Sequence, residues 1–389
     1  MPVKSDFCTR CAPTAKLGSL SGPFSDAEPG SCVYVAGLES TIDIERVAFG
    51  GAGIGHLPDG RICFVHGTLP GERAIVRVVA KKKTYAEAVV VRMVEVSARR
   101  VRPACPVFGL CGGCAYQHAE YPLQLEIKTS QVAEALRKIG GFADVAVSPM
   151  IASPLQWGYR NRLSVHIDRG QVGFHGRKSH RIVEVSDCPL ASAGVNDQLL
   201  ALSKNPPRFD GRRTLRCAGG PMAFTQVNDG AAADLLATVR EMAEPGGGHL
   251  VDAYCGVGFF AKSLRSLFEI VTGIEWSEGA VRAARSGASE GETYCDGPVG
   301  QQLAPALGTR PGAETTLLVD PPAEGLTADV TEAIMASRPA RMIYVSCDPA
   351  TLARDLKKLA AAYRIARVQP VDMFPQTAEI ETATQLVCL

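Results

Sequence analysis

Apolar, strand-like runs alternate with helical patterns from about residue 222 to the end, and this alternation constrains the chain most. HLVDAY, IVTGIEW, TLLVD and RMIYVS are such runs, each followed by a stretch with helical spacing. Continuous apolar strands alternating with helices predict a parallel sheet covered on both faces. Sheets of this kind place their sites beyond the carboxyl ends of the strands.

Residues 33–96 read differently. IDIERVAF, RICFVHG, ERAIVRVVAKK and YAEAVVVRMVEV are short strand-like runs separated by the turn signals GGAG, PDG and LPGE. Several short strands in some sixty residues predict a small OB-like β-barrel. A Cys-rich stretch, CPVFGLCGGC, follows, and then YPLQLEIKTSQVAEALRKIGG, where Leu125, Val132, Leu136 and Ile139 fall at helical spacing before a Gly140–Gly141 stop. Residues 157–190 read as strands again. The expected fold class is α/β: a Pro-, Ser- and Gly-rich disordered tail at 1–35, an OB-like barrel at 36–98, a central α/β domain at 99–221 and a Rossmann-like domain at 222–389. The tail holds Cys8 and Cys11, a lone CxxC that cannot close a tetrahedral metal site and reads as incidental.

A formal net charge of +1 hides a strong internal division. Residues 41–103 hold 11 Lys and Arg against 6 Asp and Glu, and residues 156–216 hold 11 against 5. Two basic segments on an otherwise acidic chain fit a polyanion partner as well as they fit solvated surface. No apolar stretch reaches membrane-spanning length, so a soluble, cytoplasmic protein with no membrane partner is expected. The 13 cysteines are odd in number, in a chain too large to need disulfide staples, which favours metal binding or catalysis for those that matter.

Three constellations carry chemistry. In HLVDAYCGVGFFAKS a strand ends at Asp252, Gly256 and Gly258 form a tight turn into a helix, and Glu275 ends the next strand, where an acid accepts both hydroxyls of an adenosine ribose. Gly256, Gly258 and Ala261 also satisfy GxGxxA, which suits a nicotinamide dinucleotide too. Charge separates the two ligands: Asp252 and Asp320 would repel a pyrophosphate and favour the sulfonium and amine of S-adenosylmethionine. In RMIYVSCDPATLARDLKKL, Asp348 is placed to cap a helix with Pro349 at its first position, and Cys347 stands at a strand's carboxyl end beside that helix N-terminus, where a thiolate is favoured. The third set is Cys105, Cys111, Cys114 and the distant Cys188, four thiols whose spacing suits either zinc or a 4Fe-4S cluster.

The ordered motifs VDAYCGVG, DPPAEG, YVSCDPATLARDL and DMFPQTAEIET resemble those of the RNA (uracil-5-)-methyltransferase family. The barrel segment resembles a TRAM domain, and CPVFGLCGGCAYQHAEYPLQLEIK resembles the iron-sulfur region of the family's 23S ribosomal RNA branch. The resemblance spans roughly residues 36–389. It implies S-adenosylmethionine as methyl donor, 5-methyluridine in RNA as product, with 23S ribosomal RNA as the substrate that the branch implies, and a 4Fe-4S cluster on the four cysteines. A monomer is expected. Cys347 matches the nucleophile that adds to uracil carbon 6, Glu381 matches the base that later removes the carbon 5 proton, and Gln226, Tyr254, Glu275 and Asp320 match donor-binding positions, with Gly256, Gly258 and Phe259 in the loop. The sequence departs from the family pattern at Phe259, where relatives carry a polar residue, at Ala323, an Arg in DPPRxG, and at Glu379, often His. An iron-sulfur NAD-dependent oxidoreductase and a non-catalytic RNA-binding protein of the same fold are the rival classes.

Overall fold

The computed structural model describes residues 39–217 and 226–389. The expected tail, its Cys8–Cys11 pair and the expected boundary at 221 lie outside the described residues.

Strands Glu39–Asp43, Arg46–Val47, Ala52–His56, Ile62–His66, Arg73–Lys81 and Tyr85–Glu95 form one barrel-like sheet, in the order first, fifth, sixth, fourth, third, second. Neighbours are antiparallel except Ile62–His66 with Tyr85–Glu95, which run parallel. Ile42, Val65, Val76 and Ala86 fill its core. Two local expectations need correction. IDIERVAF is interrupted at residues 44–45, and the GGAG turn signal leads directly into a strand, AGIGH. Small residues there serve close packing: a Cβ on Gly55 would lie 2.3 Å from the Asp43 carbonyl oxygen.

The helix expected after the Cys-rich stretch spans Tyr121–Ala135 and ends in one π turn, Leu136–Gly140, before left-handed Gly141 at φ 80°. Val132 and Leu136 are buried, but Ile139 is 42% exposed, because the wider π turn carries it off the buried stripe. Val132 and Leu136 share a core with Leu352, Leu356 and Leu359 of the C-terminal half. Ser148 N–H donates to Val368 O, and Ile151 bridges Val371. This stretch is thus built onto the C-terminal sheet. The rest of the central region is a four-stranded antiparallel sheet, ordered Gly211–Arg216, Arg162–Asp168, Gln171–His175, Ile182–Glu184. Leu163 and Val165 pack one of its faces on Val195 and Leu199 of helix Ala193–Lys204.

The C-terminal sheet has seven strands, ordered Glu292–Asp296, Phe268–Glu275, Gly247–Ala253, Thr315–Val319, Arg341–Ser346, Glu381–Cys388, Tyr363–Val371. The first five are parallel, as the apolar runs predict for four of them; Glu292–Asp296, at the edge, comes from no such run. The last two run antiparallel, so the sheet is mixed. That reversal brings the start of one strand back to the edge where the parallel strands end.

Candidate active site

The donor loop begins where strand Gly247–Ala253 stops. Tyr254 takes φ 67°, Gly256 57° and Gly258 86°, and helix Phe259–Leu264 follows. A side chain at Gly258 would meet the Tyr294 hydroxyl at 2.9 Å, so glycine is required there by both backbone and packing. Two carboxylates hold the loop. Asp252 Oδ2 accepts from Ala261 N–H at 2.9 Å, and Glu275 accepts from Gly256 N–H at 3.1 Å and from Ser277 N–H at 2.8 Å.

On the other side, strand Arg341–Ser346 delivers Cys347. Asp348 caps helix Pro349–Leu359 by accepting from Thr351 N–H at 2.7 Å, with Pro349 at its start, as the sequence predicts. Ser346 pairs with Thr382 in the antiparallel register, so Cys347 and Glu381 come next on adjacent strands.

One cavity of about 770 Å³ gathers these groups. Gln226, Tyr254, Gly256, Phe259, Glu275, Asp320, Cys347 and Glu381 all line it, uniting every expected catalytic residue with nearly every expected donor-binding one. Gly258 and Asp252 do not line it and act from behind the loop. Among its described lining residues are three carboxylic acids and no Lys or Arg. The electrostatic consequences are large. Burial pushes Asp320 up to about 7, burial with Asp320 and Glu379 nearby raises Glu381 well above the ordinary carboxylate range, and burial with Asp320 and Glu275 raises Asp252 to about 8. Asp252 Oδ1 is buried with no hydrogen-bond partner. Such a site is short of positive charge. The expectation that the helix N-terminus makes Cys347 a ready thiolate needs correction: burial, then the charges of Glu381 and Asp320, push its thiol up to about 12.

The segment leading to Glu381 is held from outside its own sheet. Buried Lys128 Nζ donates to Asp372 Oδ1 at 2.6 Å and to Phe374 O at 2.9 Å, while the Tyr121 hydroxyl donates to Asp372 Oδ2 at 2.9 Å. Gln124 and Gln376 exchange hydrogen bonds, and Ala115 and Tyr116 N–H both donate to Gln376 O. Gln376 itself sits at φ 71°. Glu379 faces Arg160 at 3.5 Å, a local partner for the residue that departs from the family pattern. Phe259 contacts Phe260 edge-on, with ring centroids 4.8 Å apart, and Ala323 is exposed outside the cavity.

Cys105, Cys111, Cys114 and Cys188 line a second cavity, of about 440 Å³. Among the described residues no group of three or more His, Cys, Asp or Glu side chains is gathered as a single metal ion requires. The thiols nevertheless feel one another: burial pushes Cys114 up to about 12, with Cys188 and Cys111 adding to it. Gln117 Nε2 donates to the Cys114 sulfur at 3.2 Å, and its Oε1 accepts from Cys105 N–H.

Sequence reasoning missed Trp276 and Phe374, which also line the donor cavity. Trp276 is 73% exposed directly after the strand-ending Glu275, and an isolated Trp at that position was the available signal. Phe374 gives none until the Lys128 contact fixes its segment. Among the described residues no helix is long and apolar enough to cross a membrane.

A family model described as tRNA (Uracil-5-)-methyltransferase matches residues 313–388, and a TRAM domain model matches residues 36–91. The chain is 32% identical to an uncharacterized RNA methyltransferase of Gloeobacter violaceus, covering 92% of this chain and 98% of that protein. It is 31% identical to another, from Bdellovibrio bacteriovorus, over 92% and 97%. In fold it is similar to the tRNA (uracil-54, C5)-methyltransferase of Pyrococcus abyssi, solved with S-adenosyl-L-homocysteine, at a TM-score of 0.66 and 23% identity over 89% of this chain and 100% of that one.

Proposed function

Since the chain belongs to the RNA (uracil-5-)-methyltransferase family, we propose that it methylates carbon 5 of a uridine in RNA with Cys347 as nucleophile and Glu381 as base. The observation that carries this reading is the shared cavity, where the Cys347 thiol and three carboxylic acids, Glu275, Asp320 and Glu381, stand around the donor loop with no Lys or Arg among the described lining residues. S-adenosylmethionine brings the missing positive charge and an electrophilic methyl group. Tyr254, Glu275 and Asp320 would hold it, with Glu275 toward the ribose and Asp320 toward the charged end. The same charge balance disfavours a dinucleotide pyrophosphate.

Carbon 5 of uracil is too weak a nucleophile to take a methyl unaided. Cys347, once it has lost its proton, adds to carbon 6, and the electron pair of the double bond moves to make carbon 5 an enolate carbon. After carbon 5 has gained the methyl, Glu381 removes its remaining proton. The freed pair restores the double bond, and the carbon–sulfur bond breaks to release the Cys347 thiolate. RNA carrying 5-fluorouridine tests this, since fluorine cannot be removed as a proton is. A protein–RNA adduct stable to denaturing electrophoresis is expected, and its absence with methylation-competent protein and donor would sink the covalent mechanism.

We further infer a 4Fe-4S cluster on Cys105, Cys111, Cys114 and Cys188. Four half-buried thiols line one cavity, a donor set whose chemistry suits a cluster, and the resemblance of their sequence region favours iron-sulfur over zinc. The cluster with a TRAM domain favours a 23S ribosomal RNA target by resemblance. Comparing 5-methyluridine in ribosomal and transfer RNA from cells with and without the gene distinguishes the two substrates.

A further inference from the structure

Helix Tyr121–Ala135 buries a row of polar side chains. Gln124, Lys128 and Gln131 follow one another at helical spacing, which sets them on one face, and all three are buried. Gln124 and Lys128 hold Gln376, Asp372 and Phe374 of the segment leading to Glu381. Gln131 turns instead to the TRAM barrel. Its Nε2 lies 3.1 Å from Val47 O, 2.9 Å from Ala48 O and 2.9 Å from the Tyr116 hydroxyl. Buried polar groups are costly unless they are bonded, so this row fixes one arrangement of the barrel against the approach to Glu381.

A second path runs through Gly51. In the sequence GGAG reads only as a turn, and the structure sets that turn against Ala115. Gly50 and Gly51 are both left-handed, at φ 93° and 87°, yet their surroundings differ. A Cβ on Gly50 would meet nothing within 4 Å, whereas one on Gly51 would lie 2.7 Å from the Ala115 Cβ, closer than two carbons approach. Ala115 N–H donates to Gln376 O at 2.9 Å, and Tyr116 N–H to the same oxygen at 3.0 Å. Val47 and Leu69 of the barrel share a core with Ala115 and Tyr116, and Ala378, just before Glu381, packs against that core.

We infer that the barrel turn Val47–Gly51 is a positioning element for the late proton abstraction: by seating Ala115, Tyr116 and Gln131 it sets Gln376, and so aims Glu381. The inference rests on the reading of Glu381 as the base, and it gives the barrel a part in the chemistry separate from any hold on RNA. Gln376 takes φ 71°, a conformation that a residue other than glycine keeps only where its neighbours enforce it. Cys347 is delivered separately, by strand Arg341–Ser346 and helix Pro349–Leu359. A disturbance of the turn is therefore felt at the base before the nucleophile.

The adjacent glycines supply a matched test. Gly50→Ala and Gly51→Ala both force alanine into a left-handed turn, and only the second presses on Ala115. With unmodified ribosomal RNA transcript and donor, Gly51→Ala is expected to accumulate the methylated protein–RNA adduct on denaturing gels. Its turnover is expected to fall by about tenfold or more, since displacing a catalytic group by about 1 Å can cost about a hundredfold. Its rate of adduct formation on 5-fluorouridine RNA is expected to stay within about twofold of wild type, because addition and methyl transfer precede the affected step. Gly50→Ala is expected to match wild type in both. Gly51→Ala/Ala115→Gly, which removes the opposing methyl, is expected to release product again, a rescue that general destabilisation would not allow. Binding of S-adenosylhomocysteine reports an intact donor pocket in each variant. If Gly51→Ala does not fold, Gln131→Met, which removes the contacts to Val47 and Ala48, is read by the same criteria. Turnover by Gly51→Ala that stays at the wild-type level, or falls without adduct accumulating, overturns the inference, as does equal accumulation in Gly50→Ala. Wild-type protein that forms no 5-fluorouridine adduct shows instead that the methylation reading has failed, and the inference falls with it.

Discussion

Cys347 directly follows the last residue of its strand and Glu381 opens the antiparallel neighbour, so the two lie on the same side of the Ser346–Thr382 pair. Burial is the first cause of the raised proton affinity at each; the Glu381 charge adds to it at the thiol, whereas Asp320 and Glu379 add to it at Glu381. In the mechanism proposed above, this arrangement places the nucleophile and the late base side by side, as suits a reaction that uses them at opposite ends of one covalent intermediate.

Their roles separate by mutation. Cys347→Ala is expected to abolish both turnover and the 5-fluorouridine adduct. Glu381→Gln is expected to add to normal uridine and methylate it, then stall, because the carbon 5 proton has lost its acceptor. Denaturing gels would show the trapped species only for Glu381→Gln, and release of product at the wild-type rate by that variant would remove Glu381 from the mechanism.

The raised thiol gives a pH signature. Below its pKa a thiol's ionised fraction climbs about tenfold per pH unit, so Cys347 alkylation by iodoacetamide is expected to keep rising from pH 7 to 10 without a plateau. Sinefungin, which carries a cation near the sulfonium position, is expected to lower the Cys347 pKa; S-adenosylhomocysteine, lacking that cation, is expected to lower it less. Peptide mapping of the alkylated cysteine follows both. A plateau near pH 8 in the free protein would contradict the burial argument.

Lys128 and Asp372 form a fully buried ion pair. Removing one partner leaves an uncompensated charge, so Lys128→Met is expected to cost about 3–5 kcal/mol, and Lys128→Met/Asp372→Leu to recover part of it. Urea unfolding measures both. Equal losses in the single and double variants would show that packing, rather than the stranded carboxylate, sets the cost.

Anaerobically purified protein is expected to contain about four irons per chain with broad visible absorbance, and Cys188→Ser to lose most of both, since a missing thiolate opens the site. Stoichiometric zinc without iron in the same preparation would replace the cluster by a single-ion site.

Much of this was legible in the sequence because local signals and the fold agree. The apolar runs gave four of the five parallel strands, Asp348–Pro349 gave the helix start behind Cys347, and Gly140–Gly141 gave the stop of the helix before it. What stayed hidden depends on long-range contact. Nothing local in DMFPQTAEIET reveals that the last two strands run antiparallel, or that Phe374 enters the pocket because Lys128, 246 residues away, holds its carbonyl. Helix-terminus reasoning also misjudged Cys347, since a few partial charges compete there with burial and with two neighbouring carboxyl groups, Glu381 and Asp320.

The clasp on Gln376 has a consequence for how the enzyme is divided. Ala115, Tyr116, Gln124 and Lys128 belong to the stretch that follows the first three cysteines, yet they are the fasteners of the loop that leads to Glu381. A fragment cut at the start of the Rossmann-like half would inherit Cys347 and the donor loop but not the contacts that hold the segment leading to Glu381. The smallest unit that keeps these contacts therefore begins no later than Ala115, and a chimera that exchanges cysteine-bearing regions between relatives must carry the matching DMFPQTAEIET partner with them.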